Sequence, residues 1–374
     1  MVAPVPVVHV TPHYPPYLGG LEKVVEALAT ARVARGLPVE VFTARERPPP
    51  GAARPAPDPP YVHRLAAVEV AHTALIPELP VRLLRLPAGA VVHLHVAQAF
   101  TPESVWLAHR LRGVPYVAHL HIDAGPTGPA GGLLRVYKPH LLRRVLLRAA
   151  IVVVFTPEQA EAVVATHGVD PARVRVVANG VDNSFFHPPR RFPVDRHPRL
   201  LFVGRLSIQK NLPQLLDALE GVSQRFDTVL VGSGELEGSL KAHAQRLGLV
   251  NVTFSGRADG DDLLEHYGSA DVFVLPSERE GMPLALLEAQ AMALPIVATD
   301  IPGTRDLVVD GELGTLVPVD DPVAMRGALE RIVSDPAGYE RMSAAARANA
   351  EAYSWERVSE RFEDLYTEAA STAS

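Results

Sequence analysis

The chain has 374 residues, which at roughly 150 residues per domain is enough for two or three domains. Its 47% hydrophobic and 21% charged residues are the proportions of a folded globular protein, so extensive disorder is excluded. The net charge of −6 argues against a dedicated nucleic-acid-binding protein, and the lack of cysteine excludes disulfides, thiolate zinc sites and cysteine nucleophiles.

The sequence gives no sign of a membrane span or a secretory leader. The longest purely apolar run, residues 149–155, is 7 residues long, far below the roughly 20 that a spanning helix needs. The first ten residues carry no basic residue and include Pro4 and Pro6, which is not the pattern of a signal peptide. These features predict a cytoplasmic protein.

Short β-branched runs alternate with amphipathic stretches along the first half. We predict strands at residues 5–10, 39–42, 90–94, 114–120, 151–154 and 174–177, and helices at 21–35, 102–112, 133–149 and 157–166. This alternation is typical of βαβ units, in which helices cover both faces of a parallel sheet. The proline-rich segment 48–60 is predicted to be an exposed loop.

The alternation begins again after residues 188–198, where four prolines and four charged residues predict a stiff linker. We predict strands at 200–203, 228–231, 251–254, 271–275 and 296–299, and helices at 212–219, 235–247, 261–269, 283–293 and 355–369. The predicted fold is α/β, with two Rossmann-like, doubly wound domains facing a central cleft. The first is 1–187, to which the C-terminal helix 355–374 returns, and the second is 199–354. Ligands of such sheets bind outside the carboxyl ends of the strands.

A cationic loop, GRLSIQKN, follows the first strand of the second half. Gly204 permits a tight turn, and Arg205 and Lys210 place two cations between a strand end and a helix start, where backbone amides also favour an anion. This arrangement is typical of a diphosphate site. A solvated loop with two incidental cations is the alternative.

Two glutamates eight residues apart flank the start of a later helix. Glu280 is predicted in the loop, Pro283 in the first helical turn, where its missing N–H costs nothing, and Glu288 in the second turn. A diphosphate at this helix start would leave a carboxylate on each side of it for sugar hydroxyls. A capping Glu280 and a surface Glu288 are the alternative.

These segments together resemble one family. EGMPLALLEA with its two glutamates, GRLSIQKN, NGVD at 179–182 and GELGTLVPVDDP at 311–322 are similar to segments of the retaining glycosyltransferases of family 4, which have the GT-B fold. Met282 and Pro283 stand where many members have Phe-Gly. The resemblance covers nearly all of the chain.

The resemblance implies a site for a nucleoside diphosphate sugar. Arg205 and Lys210 would hold the diphosphate, Glu288 the ribose and Glu280 the transferred sugar. The other implied donor contacts are Gly19, Gly20, Gly204, Arg257, Gly281, Met282, Pro283 and Leu284. Because two cations neutralise the departing charge, we expect neither a cofactor nor a metal.

Two further patterns of the second half receive a structural interpretation. Gly232-Ser233-Gly234 follows a strand, but Glu237 stands at the last position of the dinucleotide pattern G-x-G-x-x-G. Asp259-Gly260-Asp261 spells D-x-D, which holds a metal in another glycosyltransferase fold. Here it precedes a helix and is predicted to cap it.

The first half offers glycines, histidines and a basic helix. Gly19 and Gly20 open the helix 21–35, where bare backbone can approach a sugar or an anion; a simple turn is the alternative. His93 and His95, like His119 and His121, share a strand face, and such a pair can ligate zinc, although no third ligand is evident. The resemblance implies that His121 positions the sugar. The candidate catalytic residues are His121, Arg205, Lys210 and Glu280. Candidate acceptor contacts are Glu22, His95, Asp123 and Lys138.

The helix predicted at 133–149 carries five basic residues and no acid. Such a helix can lie on anionic lipid, but we favour a solvated face because the whole chain is acidic. Membrane contact stays the alternative.

We therefore expect a retaining transferase that moves a hexose or aminohexose from a UDP-linked donor to a hydroxyl of a small acceptor. The residue usage indicates a GC-rich genome, and the expected acceptor is an aminocyclitol or pseudodisaccharide of antibiotic biosynthesis. The alternatives are an inositol, phosphatidylinositol or envelope-glycan glycosyltransferase, a sugar-nucleotide epimerase, and a silent sugar-nucleotide-binding scaffold. We expect the two domains to close on the donor.

Overall fold

The computed structural model describes residues 4–16, 19–45, 57–70, 73–121, 141–193 and 196–372. The chain divides into two units, the first made of Met1–Asn179 and Trp355–Ser374 and the second of Gly180–Ser354. The sequence pattern predicts this division eight residues later, at 187.

The first unit is built on a parallel sheet of seven strands. Its strands in chain order are β1 (Val7–Val10), β2 (Val39–Ala44), β3 (Val62–Leu65), the hairpin strands β4 (Val68–Val70) and β5 (Thr73–Leu75), β6 (Val91–Val96), β7 (Tyr116–Leu120), β8 (Ile151–Val154) and β9 (Val174–Val176). The strand order in the large sheet is β3-β2-β1-β6-β7-β8-β9, and β4 and β5 form a separate antiparallel pair. The order reverses between β1 and β6.

Helices cover this sheet. They are α1 (Gly20–Ala34), α2 (Leu79–Leu83), α3 (Thr101–Arg112), α4 (Arg143–Leu146) and α5 (Pro157–His167). The helix predicted at 133–149 is described only from residue 141, and within that part α4 is a single turn whose apolar Val145 and Leu146 are buried. Of the five basic residues of that prediction, Arg143, Arg144 and Arg148 are exposed, and the other two lie outside the described residues.

The second unit contains a parallel sheet of six strands. These are β10 (Arg199–Val203), β11 (Asp227–Val231), β12 (Val252–Gly256), β13 (Val272–Leu275), β14 (Ile296–Thr299) and β15 (Gly314–Val317), in the order β12-β11-β10-β13-β14-β15. Its helices are α6 (Leu212–Leu219), α7 (Glu237–Arg246), α8 (Gly260–Ser269), α9 (Leu284–Ala291), α10 (Pro302–Arg305), α11 (Pro322–Ser334) and α12 (Pro336–Ala350). Here the order reverses between β10 and β13, and ligands of open α/β sheets bind at the carboxyl ends of strands beside such a reversal.

The predicted linker begins as part of the second unit. Arg190 donates from its guanidinium to the carbonyls of Met292, Gly268, Ala270 and Tyr267 at 2.8–2.9 Å. Four backbone acceptors around one side chain hold this segment against the second unit. The segment around Arg190 therefore packs on that unit and is not a free linker.

The last helix, α13 (Trp355–Ser371), belongs to the first unit. Arg32 of α1, only 2% exposed, donates to Glu363 of this helix at 2.6 Å and to the carbonyl of Val5 at 2.6 Å. Phe362 and Tyr366 lie fully buried against the sheet. The helix thus covers a face that the preceding part of the chain leaves open.

Candidate active site

Two loops meet at the strand reversal of the second unit. The loop after β10 carries Lys210, and the loop after β13 carries Glu280, whose carboxylate accepts from the Lys210 ammonium at 2.6 Å. The two side chains are 18% and 8% exposed. Ser277 donates to the same carboxylate oxygen at 2.6 Å. The structure therefore brings a cation and a carboxylate, 70 residues apart in sequence, to one point at the carboxyl edge of the sheet.

Glu288 lies in the second turn of α9 and is 7% exposed. The Tyr267 hydroxyl donates to its carboxylate at 2.8 Å. Burial and the adjacent carboxylate raise the pKa of Tyr267 well above 10, so the phenol keeps its proton. A neutral donor thus orients Glu288. Pro283 is the residue before the helix rather than within its first turn, and its extended ψ of 114° explains the difference of one position.

Arg205, in contrast to Lys210, is exposed to solvent. Its side chain is 74% exposed and pairs with Glu235 at 3.2 Å. Arg257 is also exposed, directly after β12. Around the start of α9, Met282 and Pro283 are buried, whereas Gly281 and Leu284 are half-buried. Arg205 shares the loop after β10 with Lys210, and residues 281–283 follow Glu280 in the loop that leads into α9.

Glycines to which the sequence analysis gave no part in the donor site shape these loops. At Gly232, with φ of 140°, a Cβ atom would collide with the carbonyl of Gly204. At Gly234 it would collide with the carbonyl of Leu206, and at Gly303 with the carbonyls of Glu280 and Gly281. The Gly232-Ser233-Gly234 turn thus supports the Arg205 loop by close backbone packing. The signal available in the sequence was a G-x-G after a strand.

Asp259 is the residue before α8, as the D-x-D pattern predicts for a cap, but its side chain makes no capping hydrogen bond. The helix begins instead at Gly260, whose φ of 50° turns the chain into it.

In the first unit, Gly19 precedes α1 and Gly20 begins it. Glu22, 4% exposed, turns back so that its carboxylate occupies the space beside Gly19 where a side chain would lie. The acceptor contact predicted for Glu22 stays a prediction. Glycine at position 19 is required by this contact and not by a special backbone angle, since its φ is −165°.

Histidines fill the centre of the first sheet. His9, His93, His95 and His119 are at most 1% exposed, and His121, at the carboxyl end of β7, is 8% exposed. His95, for which an acceptor contact is predicted, is enclosed, and both of its nitrogens face other histidines. Asp123 and Lys138 lie outside the described residues. His9 was missed, since a lone histidine in a strand gives no pattern.

Two sets of side chains within the described residues lie close enough together to hold a metal ion, and both consist of histidines. They are His9, His93 and His95, and His95, His119 and His121. No helix of the described residues combines the length and apolar character that a membrane span requires.

Comparison with known proteins agrees with this architecture. Residues 18–185 match the family model Glycosyltransferase Family 4, and residues 186–349 match Glycosyl transferases group 1. The chain is 31% identical over 399 residues to a D-inositol 3-phosphate glycosyltransferase of Acidothermus cellulolyticus, covering 94% of this chain and 86% of the relative. It is 31% identical over 407 residues to the protein of that name in Kineococcus radiotolerans, covering 94% and 91%.

Solved structures show the same fold. Sucrose-phosphate synthase from Thermosynechococcus elongatus superposes with a TM-score of 0.78 at 22% identity, covering 98% of this chain and 100% of that one. Anabaena Alr3699/HepE in complex with UDP and glucose gives a TM-score of 0.72 at 18% identity, covering 97% and 99%. The prediction of two Rossmann-like domains of the GT-B fold is confirmed.

Proposed function

Since the chain belongs to the family 4 glycosyltransferases of the GT-B fold, we propose that it transfers a hexosyl group, with retention, from a UDP sugar to a hydroxyl of an inositol phosphate. The observation that carries the donor half of this proposal is the Lys210–Glu280 pair at the strand reversal of the second unit. The acceptor half rests on the relatives.

In this proposal the site stabilises the leaving diphosphate. As the bond between the sugar C1 and the phosphate oxygen breaks, negative charge grows on the leaving diphosphate, and fixed cations lower the barrier by stabilising it. Lys210 is held in place by Glu280, and Arg205, in the same loop after β10, is exposed to solvent. Two protein cations do the work for which other enzymes use a metal, so the proposed reaction needs none.

The remaining groups orient the sugar nucleotide. In this proposal Glu288, fixed by Tyr267, accepts from the ribose hydroxyls. Glu280 and His121 bind the transferred sugar. The acceptor oxygen attacks C1 on the face that the diphosphate leaves, and the hydroxyl proton passes to the departing phosphate oxygen. Atoms and charge balance without a general base from the protein.

The acceptor is proposed from the names of the relatives. Proteins called D-inositol 3-phosphate glycosyltransferase share about 30% identity with this chain over 94% of its length. They favour the inositol alternative over the aminocyclitol of antibiotic biosynthesis that the sequence analysis led us to expect. A cyclitol ring is common to both acceptors, and the phosphate separates them.

An acceptor panel tests the proposal. Release of UDP from UDP-glucose and UDP-N-acetylglucosamine is measured with D-inositol 3-phosphate, with myo-inositol and with an aminocyclitol, in buffer containing EDTA. We expect UDP release to rise above slow hydrolysis with the phosphorylated cyclitol alone. Stimulation by the aminocyclitol alone would restore the antibiotic-pathway acceptor, and complete loss of activity in EDTA, reversed by manganese or magnesium, would overturn metal independence.

A further inference from the structure

Five histidine rings share one face of the first sheet at its strand reversal. His9 of β1 lies opposite His93 of β6 in the register, and His95 of β6 lies opposite His119 of β7. Ring centroids of His93 and His95 are 4.1 Å apart, as are those of His119 and His121. Strand alternation places residues i and i+2 on one face, which is why the two H-x-H segments and His9 converge.

All five rings are neutral at ordinary pH. Burial lowers the pKa of His121 from 6.5 to about 3, and burial with the nearby charge of Arg32 lowers that of His9 to about 3. Burial, and then neighbouring histidines, lower the pKa of His93, His95 and His119 well below 6.5. A neutral imidazole has one N–H donor and one acceptor nitrogen, so each ring must adopt one of two tautomers.

Three of these rings form a chain that ends at His121. Nδ1 of His9 lies 3.0 Å from Nε2 of His95, and Nδ1 of His95 lies 2.9 Å from Nε2 of His121. His95 therefore uses both nitrogens, one as donor and one as acceptor. The protons of the whole chain must point in the same direction, either toward His9 or toward His121.

The buried end of this series of histidines, His9, determines the direction in which its protons point. Nε2 of His9 is enclosed and has no hydrogen-bond partner among the residues that the structure describes. With protons pointing toward His9, this nitrogen would carry an orphaned N–H in the core. With protons pointing toward His121, it would keep only an unused lone pair. Orphaned buried donors are rarer in proteins than under-used acceptors, so the second direction is favoured.

That direction fixes the tautomer of the exposed ring. His95 donates from Nδ1 to Nε2 of His121, which leaves His121 with its proton on Nδ1. His121 is the most exposed of the five rings and stands at the carboxyl edge of the sheet. Among the N–H groups of His9, His95 and His121, the Nδ1–H of His121 is the one that does not donate to another of these rings.

The other two histidines form a separate chain. The Tyr366 hydroxyl lies 2.8 Å from Nδ1 of His93, and Nε2 of His93 lies 3.2 Å from Nδ1 of His119. This chain ends at the enclosed Nε2 of His119 and not at His121. It therefore provides an internal control.

A metal ion is the competing occupant of the cluster. Both candidate ligand sets are neutral histidines, and the guanidinium of Arg32 already lowers the pKa of His9 and His93. Burying a dication beside this cation without an anionic ligand is costly. The N–N separations of 2.9–3.2 Å are those of hydrogen bonds between rings.

We propose that His9 and His95 are positioning residues that hold His121 as the Nδ1–H tautomer, ready to donate to a hydroxyl of the bound sugar. The donation to the sugar rests on the proposed function, whereas the tautomer is a property of the protein alone. The hydrogen bond at the second ring nitrogen sets which nitrogen of a histidine carries the proton.

Histidine-selective 15N NMR of the unliganded full chain tests the tautomer. We expect Nδ1 of His121 to resonate as a protonated nitrogen and Nε2 as an unprotonated one, with the signals assigned by their loss in His121→Ala. A protonated Nε2 in the wild-type protein would overturn the proposal without any variant. Stoichiometric zinc or another metal in the purified protein by mass spectrometry would overturn it as well.

Variants test the consequence. His95→Phe keeps an aromatic ring in the core and removes the donor to His121, so we expect the Nε2–H tautomer to appear and kcat to fall about 10- to 100-fold, by analogy with the loss of an orienting partner. The KM for the sugar nucleotide should stay nearly unchanged. In His95→Asn, the amide nitrogen stands near the place of Nδ1. This variant should restore part of the Nδ1–H tautomer of His121 and part of kcat. Tyr366→Phe disturbs only the second chain and should leave the His121 signals and kcat as they are.

The outcomes separate the two claims. An unchanged His121 tautomer in His95→Phe, or an equal effect of Tyr366→Phe, overturns the positioning role. If the tautomer responds as expected but His121→Ala transfers sugar at the wild-type rate, the positioning of His121 by His9 and His95 stands. The role of His121 in the proposed function then fails.

Discussion

Arg205 offers the cleanest single-residue test of the donor site. Its side chain is 74% exposed, so its removal should leave the fold intact. We expect Arg205→Ala to lower turnover by about two to three powers of ten, the cost of losing one preorganised donor to a developing charge. Steady-state kinetics with a thermal melting curve measures both quantities.

Arg225→Ala is the matched control, because it also removes an exposed arginine from an ion pair in the same unit. Its turnover should equal that of the wild type. A folded Arg205→Ala protein with normal turnover would show that the diphosphate lies elsewhere.

At the scale of residues, the candidate site comes from short segments that carry a pattern. Arg205, Lys210, Glu280 and Glu288 were chosen from local spacing and resemblance, and their roles stay predictions. The sequence could not predict partners that only folding brings together, such as Tyr267 on Glu288. Nor could it predict burial, such as the full enclosure of His95.

At the scale of elements, α13 provides a stability test with its own control. Glu363 is the carboxylate beside the buried guanidinium of Arg32, whereas Glu368 on the same helix pairs with Arg175, which is 34% exposed. We expect Glu363→Ala to lower the free energy of unfolding by about 2–4 kcal/mol, since it leaves a buried charge unpaired. Glu368→Ala should cost at most about 1 kcal/mol.

Both tryptophans, Trp106 and Trp355, belong to the first unit, so urea titration followed by tryptophan fluorescence reports on that unit. Equal losses in the two variants would mean that α13 is not held through Arg32.

The approach of α10 to the Glu280 loop gives a second element-scale prediction. In Gly303→Ala the new methyl group would lie 2.5 Å from the carbonyl oxygen of Glu280, so the loop must shift. We expect kcat/KM for the sugar nucleotide to fall about 10- to 100-fold, because small displacements of reacting groups are costly. Gly238→Ala, in α7, meets no atom within 4 Å and should leave the kinetics unchanged. Kinetics of Gly303→Ala matching those of Gly238→Ala would rule out the contact as a determinant of the site.

Interior elements were predicted better than edges. The strand predicted at 151–154 matches β8, because four buried β-branched residues leave little ambiguity. The edge strand β3, VHRL, was missed because its polar residues resemble a loop, and β15 was missed because half of it is only partly buried. These two edge strands lack the continuous apolar run on which the predictions depend, whereas the edge strands β9 and β12 were predicted, at 174–177 and 251–254.

For the whole molecule, the buried histidines predict acid sensitivity. An unfolded histidine binds a proton below pH 6.5, whereas His9 and His121 in the folded protein do so only near pH 3. The unfolded state therefore binds more protons between these values, and stability falls as the pH falls from 6.5 toward 3, by up to about 1.4 kcal/mol per pH unit for each such histidine.

Urea midpoints followed by tryptophan fluorescence between pH 7.5 and pH 5 measure this slope. His119→Phe removes one buried histidine between Phe155 and Phe362 and should flatten it. A slope identical in the variant and the wild-type protein would mean that the cluster is protonated in the folded state.

The anomeric configuration of the product tests the central claim most directly. A UDP-α-hexose labelled with 13C at C1 is incubated with the protein and D-inositol 3-phosphate, and the anomeric signals are followed by NMR. We expect an α-linked glycoside that accumulates in equal amount with UDP. A β-linked product, or conversion of the donor into a different UDP sugar with no glycoside formed, would contradict it.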